Sequence, residues 1–247
     1  MKLTKDVYLV GSGQMGIHMT DAYDCHVYLI DGQEELALID AGAGMGVDDI
    51  LKNIEDHGFN LSKLKYLILT HAHADHAGGA KRIREKTGVE VIAHPITADY
   101  LERGDEEGIN LSTAKRAGFY PMDYRFESCE VGRKVKEGEK IQVGVHTLKV
   151  IETPGHCEGH LSFLMETEER NYLFSGDLVF FDGKVAIQYI NDCDVFSLGK
   201  SLKKLEGLKI DTMLSGHDLF VLKEAQKHID KAINTLERLA IPPSIIY

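Results

Sequence analysis

Four side chains able to hold a metal, three imidazoles and one carboxylate, fall within the six residues His71-Ala72-His73-Ala74-Asp75-His76. Helical neighbours that share a face stand three or four positions apart. At H-x-H-x-D-H spacing the donors alternate and then run adjacent, so one helical face cannot carry them all. That pattern suits a loop wrapped around a metal pair. The residues just before, Lys65-Tyr66-Leu67-Ile68-Leu69-Thr70, read as a buried strand. The donors therefore sit where a strand ends, anchored by a rigid element and still open to substrate.

The chain has ample material to build such a scaffold. It holds 247 residues, 43% of them apolar and 27% charged, the balance of an ordinary globular protein. The formal net charge of -11 argues against a nucleic-acid partner, because affinity for phosphate backbones comes from Lys and Arg. No apolar run is long enough to span a bilayer, so no membrane partner is expected. The N-terminus lacks the apolar core of a signal peptide. Cys25, Cys129, Cys157 and Cys193 are scattered with no C-x-x-C pair, which reads as four reduced thiols in a cytoplasmic protein.

No linker divides the chain, and a single domain over residues 1–247 is expected, with its apolar rhythm falling into two similar halves. In the first, strands are predicted at Val7–Val10, Val27–Ile30 and Leu36–Ile39, the last two joined by a hairpin turn over Asp31–Glu34. A helix over Val47–Asp56 stops at Gly58; after the Thr70 strand come a helix near Ala77–Lys86 and a strand at Val89–Ala93. In the second half, strands are predicted at Ile141–Val143, Thr147–Ile151, Leu161–Met165 and Tyr172–Phe174. Two helices follow, one from an Asp194 N-cap and one over Lys223–Leu239. Strands followed by helices, twice over, predict two packed β-sheets with helices outside. Between the halves, residues 97–130 form a less regular excursion that includes the aromatic run Phe119–Phe126. It reads either as a lid or substrate wall or as a satellite core or subunit contact.

The second half supplies further donors. His156 lies in Thr153-Pro154-Gly155-His156, Asp177 in Ser175-Gly176-Asp177, and His217 in Ser215-Gly216-His217. Each follows an apolar run and a glycine that lets the backbone turn sharply. Alone, each would be an ordinary turn residue; together with the 71–76 cluster they make a set of seven. Imidazole and carboxylate suit zinc, and two metals sharing a carboxylate activate water, lowering its pKa to about 7.

These motifs, with Tyr28-Leu29-Ile30 and Leu38-Ile39-Asp40-Ala41-Gly42, resemble the metallo-β-lactamase-fold hydrolase superfamily across essentially the whole chain. Thr153–His160 is similar to its glyoxalase II-like branch. The resemblance implies an α/β fold, a four-layer αββα sandwich of two packed mixed β-sheets with outer helices. It implies that His71, His73 and His156 hold one metal and that Asp75, His76 and His217 hold a second, with Asp177 bridging. The expected cofactor is two zinc ions; iron and manganese accept the same donors. The expected reaction is hydrolysis of an ester, thioester, lactone or amide of a small molecule by a bridging hydroxide, with Asp75 as catalytic residue orienting it. A metal-bound water would protonate the leaving group. Asp40 matches the family's buried acid, either a buttress behind a ligand or a cap on its own turn.

The superfamily also contains other chemistries. Flavodiiron proteins place a Glu where this chain has His73, and the chain has no room for their flavin domain. Mononuclear-iron persulfide dioxygenases share H-x-H-x-D-H. The Gly-Cys-Gly-Arg run of that branch, seen also in many glyoxalases II, is missing after Asp177, where Leu178–Lys184 stands. Phosphodiesterases and nucleases of the superfamily usually bring extra domains or basic surfaces, neither evident here. His94 and His160 read as structural histidines with some claim on the site, and Cys157 as a small buried side chain. Acidic neighbours on both sides of Cys193 disfavour a nucleophilic thiolate. The apolar tail Ile241–Tyr247 is expected to dock on its own chain or on a second copy, forming a homodimer.

Gly11-Ser12-Gly13-Gln14-Met15-Gly16 matches the dinucleotide fingerprint G-x-G-x-x-G. Only Ile17–His26 separates it from the next strand, without an apolar helical stripe. A parallel crossover needs a longer helix, so a glycine-rich loop between strands is expected instead.

Overall fold

The fold is described from a computed structural model over residues 1–246. Two compact units divide the chain, the first Met1–Val135 with Val143–Val145, the second Lys136–Gln142 with His146 onward.

The first unit is built on a mixed sheet of six strands. They are β1 (Val7–Gly11), β2 (Val27–Asp31), β3 (Leu36–Ile39), β4 (Leu64–Ile68), β5 (Glu90–Ala93) and β6 (Arg133–Lys134), in that spatial order. β1, β2 and β3 are antiparallel neighbours, whereas β3 to β6 run parallel. The parallel half needs crossovers, and helices provide them: α1 (Val47–Asp56), α2 (Ala74–Ala77), α3 (Ala80–Thr87), α4 (Pro95–Arg103) and α5 (Leu111–Arg116). In α1, Val47, Ile50, Leu51 and Ile54 are buried. Each such aliphatic side chain contributes about 1.5–3 kcal/mol by leaving water.

The parallel register positions the donors. Ile39 pairs with Ile68 and Ile68 with Ile92, so β3, β4 and β5 end together at one sheet edge. Asp40 follows β3 and the His71–His76 segment follows β4, at the carboxyl edge where open α/β sheets bind ligands.

The second unit repeats the logic with five strands. In chain order they are β7 (Lys140–Val143), β8 (His146–Glu152), β9 (Leu161–Glu166), β10 (Asn171–Gly176) and β11 (Thr212–Ser215), in spatial order β11-β10-β9-β8-β7. β8, β9 and β10 alternate in direction and β10 lies parallel to β11. β8, β10 and β11 therefore all point one way, and His156, Asp177 and His217 follow their carboxyl ends. Helices α6 (Val195–Lys203) and α7 (Gln226–Glu237) pack in the core of this unit through Leu198, Leu202, Ile229, Ala232 and Ile233. Asp194 caps α6 as expected, its carboxylate accepting from the Phe196 and Ser197 amides. The tail docks on this same unit: Val185 N–H donates to Pro243 O and Ile245 N–H to Val185 O, both at 2.9 Å. Tyr247 lies outside the described residues.

Two regions depart from the pattern-based reading, and a third, the glycine-rich segment, follows it. The single helix expected near Ala77–Lys86 is two helices, and Asp75 and His76 stand on the short turn α2 rather than in a loop. Gly78 and Gly79 separate them because the backbone is crowded: a Cβ on Gly79 would lie 2.1 Å from Ala41 O. Helices α4 and α5 occupy the 97–130 excursion, and Leu101, Ile109, Leu111, Tyr124 and Phe126 from it enter the core, leaving Phe119 and Met122 exposed. The glycine-rich segment after β1 forms turns, and β1 pairs with β2 antiparallel, the opposite of a dinucleotide-binding crossover. Among the described residues no helix is long and apolar enough to cross a membrane.

Candidate metal centre

In the first unit, β4 delivers Thr70 and His71 to the sheet edge, and α2 turns Asp75 and His76 back toward them. His71 Nε2 and His73 Nδ1 stand 3.1 Å apart, and His76 Nε2 lies 3.7 Å from Asp75 Oδ2. Two donors at 2.0–2.1 Å from one tetrahedral zinc stand about 3.3 Å apart. The separations within this turn bracket that figure.

Behind the donors lies a buried hydrogen-bond network. Asp40 Oδ2 accepts from His76 Nδ1 at 2.8 Å and from Thr70 Oγ1 at 2.8 Å, while Asp40 Oδ1 accepts from the Thr70 amide at 2.8 Å. A carboxylate only accepts, so His76 carries its proton on Nδ1 and presents the Nε2 lone pair. Thr70 gives its one hydroxyl proton to Asp40, which leaves its oxygen to accept from His71 Nδ1 at 3.0 Å. His71 is thereby fixed in the same tautomer. One aspartate orients two imidazoles, one directly and one through a threonine, the arrangement that raises ligand basicity in metal sites. Asp40 is thus a buttress. It occupies the left-handed region (φ 64°).

In the second unit, His156 Nδ1 donates to Ala186 O at 3.0 Å, which leaves Nε2 as the donor atom. That Nε2 lies 3.7 Å from Asp177 Oδ2, and His217 Nε2 lies 3.5 Å from the same oxygen. One carboxylate oxygen thus stands between two imidazole nitrogens. The turn that carries His156 depends on Gly155, whose φ of 140° disfavours a side chain and whose added Cβ would lie 2.3 Å from Leu198 Cα on α6.

His160 is structural yet adjoins these donors. Its Nε2 accepts from the Asp177 amide at 3.0 Å, so its proton is on Nδ1 and donates to Thr153 Oγ1 at 2.8 Å. Neutral and buried, it fixes the backbone at Asp177. His94 acts at α4, where its Nδ1 caps the Ile96 amide. Cys157 is buried, as expected. Burial raises the Cys193 thiol, consistent with a non-nucleophilic role.

Thr70, Thr153 and Cys25 were not legible as site residues. Cys25 lies within reach of Asp40 and His76, three groups whose donor atoms fall within 4.8 Å. Burial pushes its thiol up to about 12. Thr70 and Thr153 do stand directly after apolar runs and before donors, a signal of position but not of contact.

Residues 20–217 match the model of the metallo-β-lactamase superfamily. The chain belongs to this superfamily. Members of this superfamily bind metal ions, typically zinc. The hydroxyacylglutathione hydrolase of Cereibacter sphaeroides is 29% identical over 68% of this chain and 53% of its own length, so the chain spans about half of that relative. The hydroxyacylglutathione hydrolase GloC of Haemophilus influenzae is 27% identical over 83% of this chain and 90% of the relative. Among solved structures, a Cronobacter sakazakii metallo-β-lactamase with a HARLDQ motif superposes with a TM-score of 0.74 at 21% identity, covering 97% of this chain and 96% of that one. The fold is therefore the metallo-β-lactamase fold, an α/β fold with two mixed sheets and helices.

Proposed function

We propose that the protein hydrolyses small-molecule thioesters with a dinuclear zinc centre. His71, His73 and His156 would hold one ion, Asp75, His76 and His217 the other, and Asp177 would bridge them. The observation that carries this reading is Asp177 Oδ2, 3.5 Å from His217 Nε2 and 3.7 Å from His156 Nε2, as a bridging carboxylate requires. The donor set fits zinc, being imidazole and carboxylate throughout, with His71, His76 and His156 presenting lone pairs fixed by partners on their other nitrogens. When bound, zinc ions lower the pKa of water to about 7 and polarise a carbonyl.

The chain's own groups would do the rest. Asp75 keeps 20% side-chain exposure while His76 beside it keeps none, which supports a role for its carboxylate in accepting a hydrogen bond from the attacking water and aiming it. Asp40 and Thr70 hold His76 and His71 against rotation during the reaction. A thioester is favoured because both curated relatives described above are named for hydrolysis of hydroxyacylglutathione, a thioester.

The test pairs elemental analysis of the purified protein with a panel of thioester, lactone and phosphodiester substrates. Zinc near two per chain and preferential thioester turnover are expected. Full activity after metal stripping would overturn the reading, and turnover confined to lactones or phosphodiesters would replace the substrate class.

A further inference from the structure

We propose that Ser244 is a positioning residue for His156, acting through the peptide that joins Ala186 to Ile187. The inference rests on the reading of His156 as a metal ligand and extends it to the tail, outside the seven donors.

An imidazole is held in place for a metal by the acceptor of its other N–H, and only as firmly as that acceptor is itself held. For His156 the acceptor is Ala186 O, which takes the Nδ1 proton at 3.0 Å. Ala186 is fully buried and stands between β10 and α6, outside the strands of both sheets. Its peptide is therefore held by something other than a sheet ladder, and the tail supplies the hold. Ile187 N–H donates to Ser244 Oγ at 3.3 Å, and Ser244 Oγ donates to Ile187 O at 3.3 Å. The Ile187 N–H and the Ala186 C=O belong to one planar peptide, and in a trans peptide they point opposite ways. His156 and Ser244 thus grip the two ends of the same peptide group. A peptide bonded at both ends is polarised by each bond, which strengthens the other.

Backbone pairing sets the register that brings Ser244 to this spot. Val185 N–H donates to Pro243 O and Val185 O accepts from Ile245 N–H, each at 2.9 Å, so that Val185 and Ser244 form a parallel bridge. Proline has no N–H, and Pro243 contributes the carbonyl it keeps. Ile246 N–H also donates to Ser244 Oγ, at 3.0 Å. One donated proton and two accepted ones use the full capacity of a hydroxyl, which fixes the side chain in one orientation. The other end of the segment is pinned separately by α7. There Asp182 N–H donates to His228 Nδ1 at 3.0 Å and Lys231 Nζ pairs with Asp182 at 2.7 Å. Removing the Ser244 hydroxyl therefore leaves the segment attached and loosens one peptide.

The experiment compares Ser244→Ala, which removes the hydroxyl, with Ser244→Thr, which keeps it, and with Ile245→Ala, which trims a tail side chain but leaves every bond named above. Zinc affinity is read by competition with a chromophoric chelator, the ligand field by the visible absorption of cobalt-substituted protein, and folding by thermal melting. Hydrogen exchange of the Ile187 amide in metal-free protein reads the peptide itself. Ser244→Ala should bind zinc about 10-fold more weakly, the low end for a partner behind a ligand, with a shifted cobalt spectrum and faster Ile187 exchange. Ser244→Thr should restore all three. Ile245→Ala should lower the melting temperature while keeping the zinc affinity and cobalt spectrum of the wild type. A Ser244→Ala protein with wild-type zinc affinity and cobalt spectrum overturns the proposal and leaves the tail a packing element. An Ile245→Ala protein that loses zinc affinity to the same degree also overturns it, since general loosening then accounts for the effect. His156→Ala separates the two layers: if it loses zinc while Ser244→Ala does not, only the role of Ser244 falls. If the wild type takes up no zinc, or His156→Ala takes it up unchanged, the metal reading falls and this proposal with it.

Discussion

His76 donates from Nδ1 to Asp40 Oδ2 over 2.8 Å, with side-chain exposures of 0% and 2%. The other hydrogen-bond partners of Asp40 described above are also donors: the Thr70 amide and the Thr70 hydroxyl. Replacing Asp40 by Asn puts an amide NH₂ among donors and leaves a buried group unsatisfied, at a cost of about 1–3 kcal/mol. Asp40→Asn should therefore lower stability in chemical denaturation. It should also weaken zinc binding about 10–100-fold, because His76 loses the acceptor that fixes its tautomer. Wild-type zinc affinity in the Asn variant would show that Asp40 serves the turn alone.

Metal binding should also appear as stability. A ligand that binds only the folded state at 100 times its dissociation constant adds about 2.7 kcal/mol. Zinc added to stripped protein should raise the melting temperature, and the rise should shrink in His73→Ala, which removes a donor 3.1 Å from His71 Nε2. The same variant should retain little turnover. An equal melting shift in wild type and His73→Ala would take His73 out of the donor set.

The extent to which this architecture could be read in advance depends on the range of the signal. Strands β1 to β5 and helix α1 announce themselves through local apolar periodicity, and Leu36–Ile39 and Val47–Asp56 fall on the predicted bounds. The seven donors stand in short motifs at strand ends, where a glycine or a cluster of ligand types marks them. The buttress contact of Asp40 was one of two open readings, because it joins residues 36 apart and depends on parallel register between β3 and β4. The split of α2 from α3 depends on crowding by Ala41 O, which no local pattern encodes.

Gly155→Ala tests how tightly the His156 turn is built. The substitution meets both a φ of 140° and a Cβ placed 2.3 Å from Leu198 Cα, a backbone atom of α6 that cannot rotate away. Strain of that kind costs about 1–3 kcal/mol, and overpacking a core adds a similar amount. The variant should lose about 3 kcal/mol or more in denaturant unfolding, and the zinc it retains should bind more weakly because His156 moves with the turn. A loss under 1 kcal/mol would mean that α6 shifts to accommodate the methyl group.

Asp24, a carboxylate outside the donor set, supplies a pH signature. It is 2% exposed and accepts from Thr20 Oγ1 and from the Asp21 and Ala43 amides. Burial outweighs these bonds and raises its carboxyl from 3.8 to about 6. The folded protein therefore keeps this proton to higher pH than the unfolded chain does. Between those two values the native state binds more protons, so the contribution is fully present below pH 3.8 and is lost as pH rises through about 6. The whole change amounts to about 3 kcal/mol at 1.36 kcal/mol per pKa unit. Asp24→Asn does not titrate, so subtracting its stability from that of the wild type isolates the effect from other carboxylates. The difference should move against the wild type by about 2.4 kcal/mol between pH 4 and pH 7 and then level off. A difference that stays constant across that range would mean that Asp24 is ionised in the folded protein throughout.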